Sequence, residues 1–203
     1  RGYVMGVLGT RGGLGTTSLA VNLAASLYGR IHSDILLAEM LPGQGTMALD
    51  MGVVASKGLV DLLSITKPAD LTNDKVRDSL TPHSSGLKLL LASDRPRDMH
   101  LIGQVANYET TLALLTGLAR FVVLDLGVGM QPFAQKVLPL CNEVLIIMEG
   151  APNTIIHTKA LIDDIASLGV NQKSINVVLN NRIRSDTQLP SSQVQTKLDH
   201  EIV

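Results

Sequence analysis

Aromatic residues are nearly missing from this sequence: two Phe, three Tyr and no Trp, 2% of 203 residues. Its core must therefore be built from Leu, Ile, Val, Ala and Met. Cysteine is almost missing too. Cys141 stands alone, which excludes an intramolecular disulfide and a cysteine zinc site. Such a composition fits a reducing, cytoplasmic compartment, with Cys141 itself read as a small buried apolar residue. No apolar run reaches the ~18 residues that span a bilayer, so no transmembrane segment is expected, and the first residues read as a strand rather than a signal peptide. The net charge is only -1. That argues against a strongly electrostatic DNA-binding face but leaves a small basic patch, and hence DNA, open. The five histidines are scattered without metal-ligand spacing.

What is present is apolar: 45% of residues are hydrophobic. A sheet covered by helices on both faces accounts for this, because its strands are buried on two sides. The length suits one such domain. With no internal repeat, low-complexity tract or linker, residues 1–203 are expected to form a single α/β domain. The chain starts at Arg1, and its end, Glu201-Ile202-Val203, reads like the start of another strand. It is therefore expected to be a fragment of a longer chain.

Apolar β-type runs alternate with helical periodicity. Strands are predicted at 2–8, 34–39, 87–91, 121–126, 144–148 and 175–179. Helices are predicted at 17–28, 58–65, 73–80, 101–118, 132–140, 154–168 and 191–198. Leu19, Leu23 and Leu27 carry the first helix at i, i+4, i+8, and Gly169 is a good C-cap. This alternation implies right-handed βαβ units around a mostly parallel sheet, with ligands at the carboxyl ends of the strands.

The first strand runs straight into Gly9-Thr10-Arg11-Gly12-Gly13-Leu14-Gly15-Thr16-Thr17-Ser18 and then a helix. Glycines let a backbone wrap an anion, and a helix start adds N–H groups and a positive dipole end. Thr17 and Ser18 are suited to a phosphate or a magnesium ion. The bland alternative is a glycine-rich strand–helix turn. Two chemistries use such loops. For a P-loop, G-x-x-x-x-G-K-[ST], Gly15 is the second glycine and Thr17 the hydroxyl, while Thr10 replaces the first glycine and Thr16 the lysine. For a dinucleotide loop, Gly9, Gly13 and Gly15 match G-x-x-x-G-x-G, and Glu39, at the end of the second strand, is placed to hold a ribose. An NAD(P)-dependent oxidoreductase of that kind also needs a tyrosine with a lysine four residues on. Tyr3, Tyr28 and Tyr108 are followed there by Val7, His32 and Leu112.

With these motifs the chain resembles the deviant Walker A ATPases of the MinD/ParA group, whose loop reads K-G-G-x-G-K-[ST]-[ST]. The resemblance extends over nearly the whole chain. Ala24-Ala25-Ser26-Leu27 is similar to the group's first helix and Ile35–Glu39 to its second strand. Phe121-Val122-Val123-Leu124-Asp125 is similar to its Walker B strand, and Val177-Val178-Leu179-Asn180-Asn181-Arg182 to the strand whose terminal asparagine reads adenine. Within the group it looks most like the CpaE/TadZ branch of Flp-type (Tad) pilus assembly, on Met47–Gly52, Gly58–Leu63, Leu87–Ala92 and Leu189–Val194. Such proteins carry an N-terminal receiver-like domain, which would precede Arg1. BcsQ, associated with bacterial cellulose synthesis, is a rival branch whose loop also reads R-G-G-x-G-T-T-S.

The resemblance implies a P-loop fold of the SIMIBI/MinD type. It implies ATP or ADP with Mg held by Arg11, Gly12, Gly13, Leu14, Gly15, Thr16, Thr17, Ser18, Asn180 and Arg182, with Thr17 and Asp125 at the metal and Asp125 the surviving catalytic acid. Arg11 takes the place of the lysine that reaches across a homodimer to the partner's nucleotide. Two departures weaken catalysis. Thr16 replaces the lysine that neutralises β/γ-phosphate oxygens, a charge-assisted contact of about 1.5–3 kcal/mol. Leu41 falls at the aspartate that orients the attacking water. The expected protein is a cytoplasmic, ATPase-like positioning or assembly factor for a pilus or secretion system, recruited to the inner membrane face or the cell pole, with weak or absent hydrolysis. A nucleotide-free pseudo-ATPase scaffold is the alternative.

The residues singled out also have plain structural readings. Asp125 and Glu39 suit solvated strand ends, and Asn180 suits a turn cap. Arg182 and Arg184 suit a charged turn, and Gly127-Val128-Gly129 either a mobile switch or a tight turn.

Overall fold

The structure, a computed structural model, describes residues 1–181 and 188–203. Strands β1 (Tyr3–Gly9), β2 (Ile35–Glu39), β3 (Leu80–Pro82), β4 (Lys88–Leu90), β5 (Phe121–Val128), β6 (Glu143–Met148) and β7 (Ile175–Leu179) make one sheet in the order β3-β4-β2-β5-β1-β6-β7. Every pairing is parallel except β3–β4. The helices are α1 (Thr16–Ile31), α2 (Met47–Asp50), α3 (Leu59–Leu63), α4 (Asn73–Asp78), α5 (Val105–Leu118), α6 (Ala134–Val137), α7 (Pro152–Ser167) and α8 (Ser191–Leu198).

Side chains alternate across a strand, so each central strand supplies two cores. Val4, Leu8, Leu36, Ala38, Val122 and Leu124 face one way, onto Leu112 and Leu115 of α5 and Ile162 and Ile165 of α7. Met5, Val7, Ile35, Leu37 and Val123 face the other way, onto Ala20 and Ala24 of α1 and Met47 of α2. Burying one such Leu or Ile is worth about 1.5–3 kcal/mol. The same alternation puts Glu39 and Asp125, at the carboxyl ends of β2 and β5, on the α1 face. They are register partners.

The mostly parallel sheet with helices on both faces matches the expectation from the sequence, and six of the seven strands fall where periodicity put them. The differences lie in short elements. The helix expected at 73–80 stops at Asp78, and Leu80–Pro82 turns back as β3. Pro82 is tolerated there because β3 is an edge strand. The helix expected at 101–118 begins at Val105, after a 3-10 segment Pro96–Gly103. The helix expected at 132–140 is only α6 followed by a 3-10 turn, Leu138–Leu140, because Pro139 cannot donate the next helical hydrogen bond. Ile202 forms a single parallel bridge to Val177. Among the described residues, no helix is long and apolar enough to cross a membrane.

Candidate functional site

β1 lies between β5 and β6, and the loop after it opens at the carboxyl edge of the sheet, where ligands of such folds bind. Gly13 and Gly15 take φ of 77° and 93°, left-handed values that glycine adopts without strain. Gly9 permits the loop to fold back: a Cβ there would stand 2.6 Å from Thr16 Oγ1 and 3.0 Å from Arg11 O. Helix α1 then starts with no side-chain cap and no acid in its first turn. A helix start of this kind, with its N–H groups and positive dipole end, suits an anion.

The loop is braced from beneath. The Leu14 side chain is buried, and its carbonyl accepts from Asn180 Nδ2 at 2.7 Å. Thr10 N donates to Ile147 O at 3.1 Å. The Thr10 and Thr158 hydroxyls meet at 2.8 Å, with Thr158 donating onward to Thr154 O at 2.8 Å. The Arg11 guanidinium is paired with Glu149 at the end of β6, whose carboxylate also accepts the Thr154 hydroxyl at 3.4 Å.

Loop and α1 form one wall of a cleft of about 420 Å³; the other wall includes Glu39, Leu41, Gln44, Asp125 and Gly127. Thr16 and Thr17 line it, as does the exposed Ser18. Thr17 lies with the Asp125 carboxylate in this cleft, and that carboxylate accepts Gly127 N at 3.0 Å. Asp125 is 3% exposed, and burial pushes its pKa up against the pull of Thr17 and Gly127. A hydroxyl and a carboxylate at the head of a phosphate loop are the hard oxygen donors that magnesium takes alongside phosphate. Among the described residues, no group of three or more His, Cys, Asp or Glu side chains is placed to hold a metal without such help.

Glu39 does different work. One carboxylate oxygen accepts Thr46 N at 2.8 Å and Met47 N at 3.2 Å, and the other accepts Ala92 N at 3.2 Å. It fastens the start of α2 and the end of β4 to β2. Burial raises its pKa, the three N–H groups oppose the rise, and Asp125 adds to it. A carboxylate so engaged is not free to hold a ribose, which removes the support the dinucleotide reading drew from it. Leu41 rests on Gly127, where any Cβ would collide with its Cδ1.

The structure thus brings Gly12, Gly13, Gly15, Thr16, Thr17, Ser18 and Asp125 to one cleft. It sets Leu14 and Asn180 behind the loop as a brace and turns Arg11 to Glu149. Arg182, with Arg184, lies outside the described residues. Glu149, Gln44 and Asp50 were missed by sequence reasoning. Glu149 carried a usable signal, an acid closing an apolar strand, as Asp125 and Glu39 do. Gln44 and Asp50 carried none, since a loop and a four-residue helix deliver them.

Fold and loop together define the architecture of the ParA/MinD P-loop ATPases. The chain superposes on a ParA family ATPase from Chlorobium tepidum TLS with a TM-score of 0.85 at 16% identity, over 100% of this chain and 83% of that one. It superposes on the septum site-determining protein MinD complexed with Mg-ADP from Pyrococcus horikoshii OT3 with a TM-score of 0.82 at 17% identity, over 100% and 79%. Cobyrinic acid a,c-diamide synthase from Mycobacterium smegmatis, with bound ATP analog and magnesium, gives 0.71 at 16% identity, over 98% and 82%. No protein-family model matches the sequence, and no curated protein matches it. At these identities the likeness is one of fold.

Proposed function

We propose that this chain is a nucleotide-binding, ParA/MinD-like positioning or assembly protein that hydrolyses its nucleotide slowly or not at all. The observation that carries the reading is the cleft that sets Thr17 and Asp125 together at the uncapped start of α1. It joins the two oxygen donors of a magnesium site beside a loop shaped for phosphate. Backbone N–H groups and the α1 dipole hold phosphate oxygens there, and Leu14 and Asn180 keep the loop in shape. Thr17 and Asp125 would hold a magnesium ion, which would supply positive charge beside the phosphate. Thr16 contributes a hydroxyl without charge, and Leu41 has no atom to orient an attacking water. Hydrolysis is therefore weak, and the protein acts by recruiting partners.

The resemblance to the CpaE/TadZ branch supports a cytoplasmic homodimer serving pilus or secretion machinery at the inner membrane face or cell pole, with Arg11 contributing across the dimer. The BcsQ-like cellulose-synthesis branch shares the loop, and partner capture from the native cell separates the two. Equilibrium titration with a fluorescent ATP or ADP analogue and magnesium tests the central claim. Binding is expected, lost in Asp125→Ala and strengthened about tenfold or more in Thr16→Lys, since a charge-assisted bond is worth ~1.5–3 kcal/mol. No binding at millimolar nucleotide would instead favour a pseudo-ATPase scaffold. One observation favours that second reading: the cleft is lined by Glu39, Asp50 and Asp125 and by no Lys or Arg among the described residues.

A further inference from the structure

The charge distribution of the cleft bears on which nucleotide it keeps. The loop wall is neutral and donor-rich, with glycine backbone and the start of α1. The facing wall carries acids, Glu39, Asp125 and the exposed Asp50, neutral polar groups, Gln44 and Thr46, and Leu41 seated against Gly127, and no cation among the described residues. The loop carries one cation, Arg11, which is paired with Glu149 and is not among the cleft-lining residues. Resting on the nucleotide-binding reading above, we propose that this cleft selects a nucleoside diphosphate over the corresponding triphosphate.

A triphosphate would bring charge that this cleft does not match. Two phosphates are served by N–H groups of the loop and helix, with magnesium at Thr17 and Asp125. A third phosphate brings further negative charge, and the magnesium is already counted for the diphosphate. In P-loop proteins the lysine of the loop reaches the β/γ-phosphates. Here that position is Thr16, whose hydroxyl packs toward Gly9. The facing wall then offers the added phosphate a leucine side chain, the neutral groups of Gln44 and Thr46, and carboxylates, with no cation to match its charge. Glu39 does not relieve the mismatch, because its three backbone partners hold it in place. Nor does Arg11, whose partner Glu149 is mostly buried at 17% side-chain exposure and anchored through Thr154.

The test is competition binding with magnesium on the full chain, comparing ADP with ATP. The ratio is read within one protein, so it does not depend on a variant folding well. ADP is expected to bind about tenfold or more tightly than ATP, the worth of one lost charge-assisted contact. Thr16→Lys is expected to shrink the ratio by raising ATP affinity more than ADP affinity. Glu149→Gln, which releases Arg11 without removing it, is expected to shrink it by a smaller factor. ATP binding as tightly as ADP, or more tightly, overturns this proposal while leaving the nucleotide reading standing. Failure of both nucleotides to bind overturns both.

Discussion

The two walls of the cleft were built by different means and are differently equipped. The loop wall is a continuous stretch, 9–18, between one strand and one helix. It has left-handed glycines, a buried Leu14 and an uncapped helix start, features suited to an anion. The facing wall is gathered from the ends of β2 and β5 and the segment around α2. Its two buried acids are engaged with protein: Glu39 with three backbone N–H groups, Asp125 with Gly127 N. On the reading proposed above, the first wall has the backbone shape of a phosphate cradle with an uncharged Thr16, and the second offers Asp125 to a magnesium ion and an apolar Leu41 to the attacking water. Binding geometry and catalytic equipment are thus separable in this fold, since backbone supplies the one and side chains the other.

The comparison breaks most severely at Gly15. Gly15→Val places a β-branched residue at φ 93°, with Asn180 Nδ2 3.3 Å from the new Cβ. A fall of about 1–3 kcal/mol in unfolding free energy is expected from backbone strain, together with loss of nucleotide binding; denaturant melts and a titration read the two. Next in size is the gain from Thr16→Lys, which supplies to the loop wall the charge it lacks. If ATP affinity does not rise in that variant, the loop is not shaped as a phosphate cradle.

Asp125→Asn separates function from stability on the facing wall. A carboxyl whose folded pKa is raised binds more protons folded than unfolded between its ordinary pKa of 3.8 and the raised value. Stability is therefore lost as pH rises through that window. Asn keeps hydrogen-bonding groups toward Thr17 and Gly127 without the buried charge. The variant is expected to melt about 2–4 °C higher at neutral pH, the shift given by ~1 kcal/mol in a chain of this size. The advantage shrinks as pH is lowered, while magnesium-dependent binding falls. Equal melting at neutral pH would show that the buried carboxylate carries no net cost. The smallest effect is expected at the brace: Asn180→Ala removes the bond to Leu14 O and lowers stability by about 0.5–1.5 kcal/mol, with a modest loss of nucleotide affinity. Thermal melts and the same titration measure it.

Much of the fold is legible in the sequence. Phe121–Leu124 and Val144–Met148 are continuous apolar runs, which parallel strands buried on both faces require. Loop 9–18 was legible because its glycines precede a helical period. The antiparallel β3 was not, since three residues ending in Pro82 carry no period of their own. Nor was α2, a four-residue helix whose start is fixed by Glu39 from a distant strand end. In the site, Thr17 is legible from the glycine loop and Asp125 from the resemblance of its strand to a Walker B strand. The partner of Arg11 is not, because Glu149 lies far along the chain and meets it only where β6 lies beside β1.

The sequence by itself determined the alternation of strands and helices, the composition of the two cores and the phosphate-loop backbone. Each follows from local periodicity, glycine conformation and the drive to bury aliphatic side chains. Only the tertiary structure decided what the charged groups do. It turned Arg11 to Glu149, fixed Glu39 on backbone N–H groups and set Leu41 against Gly127. These pairings are made by strand ends brought into register across the sheet, and no local pattern encodes them.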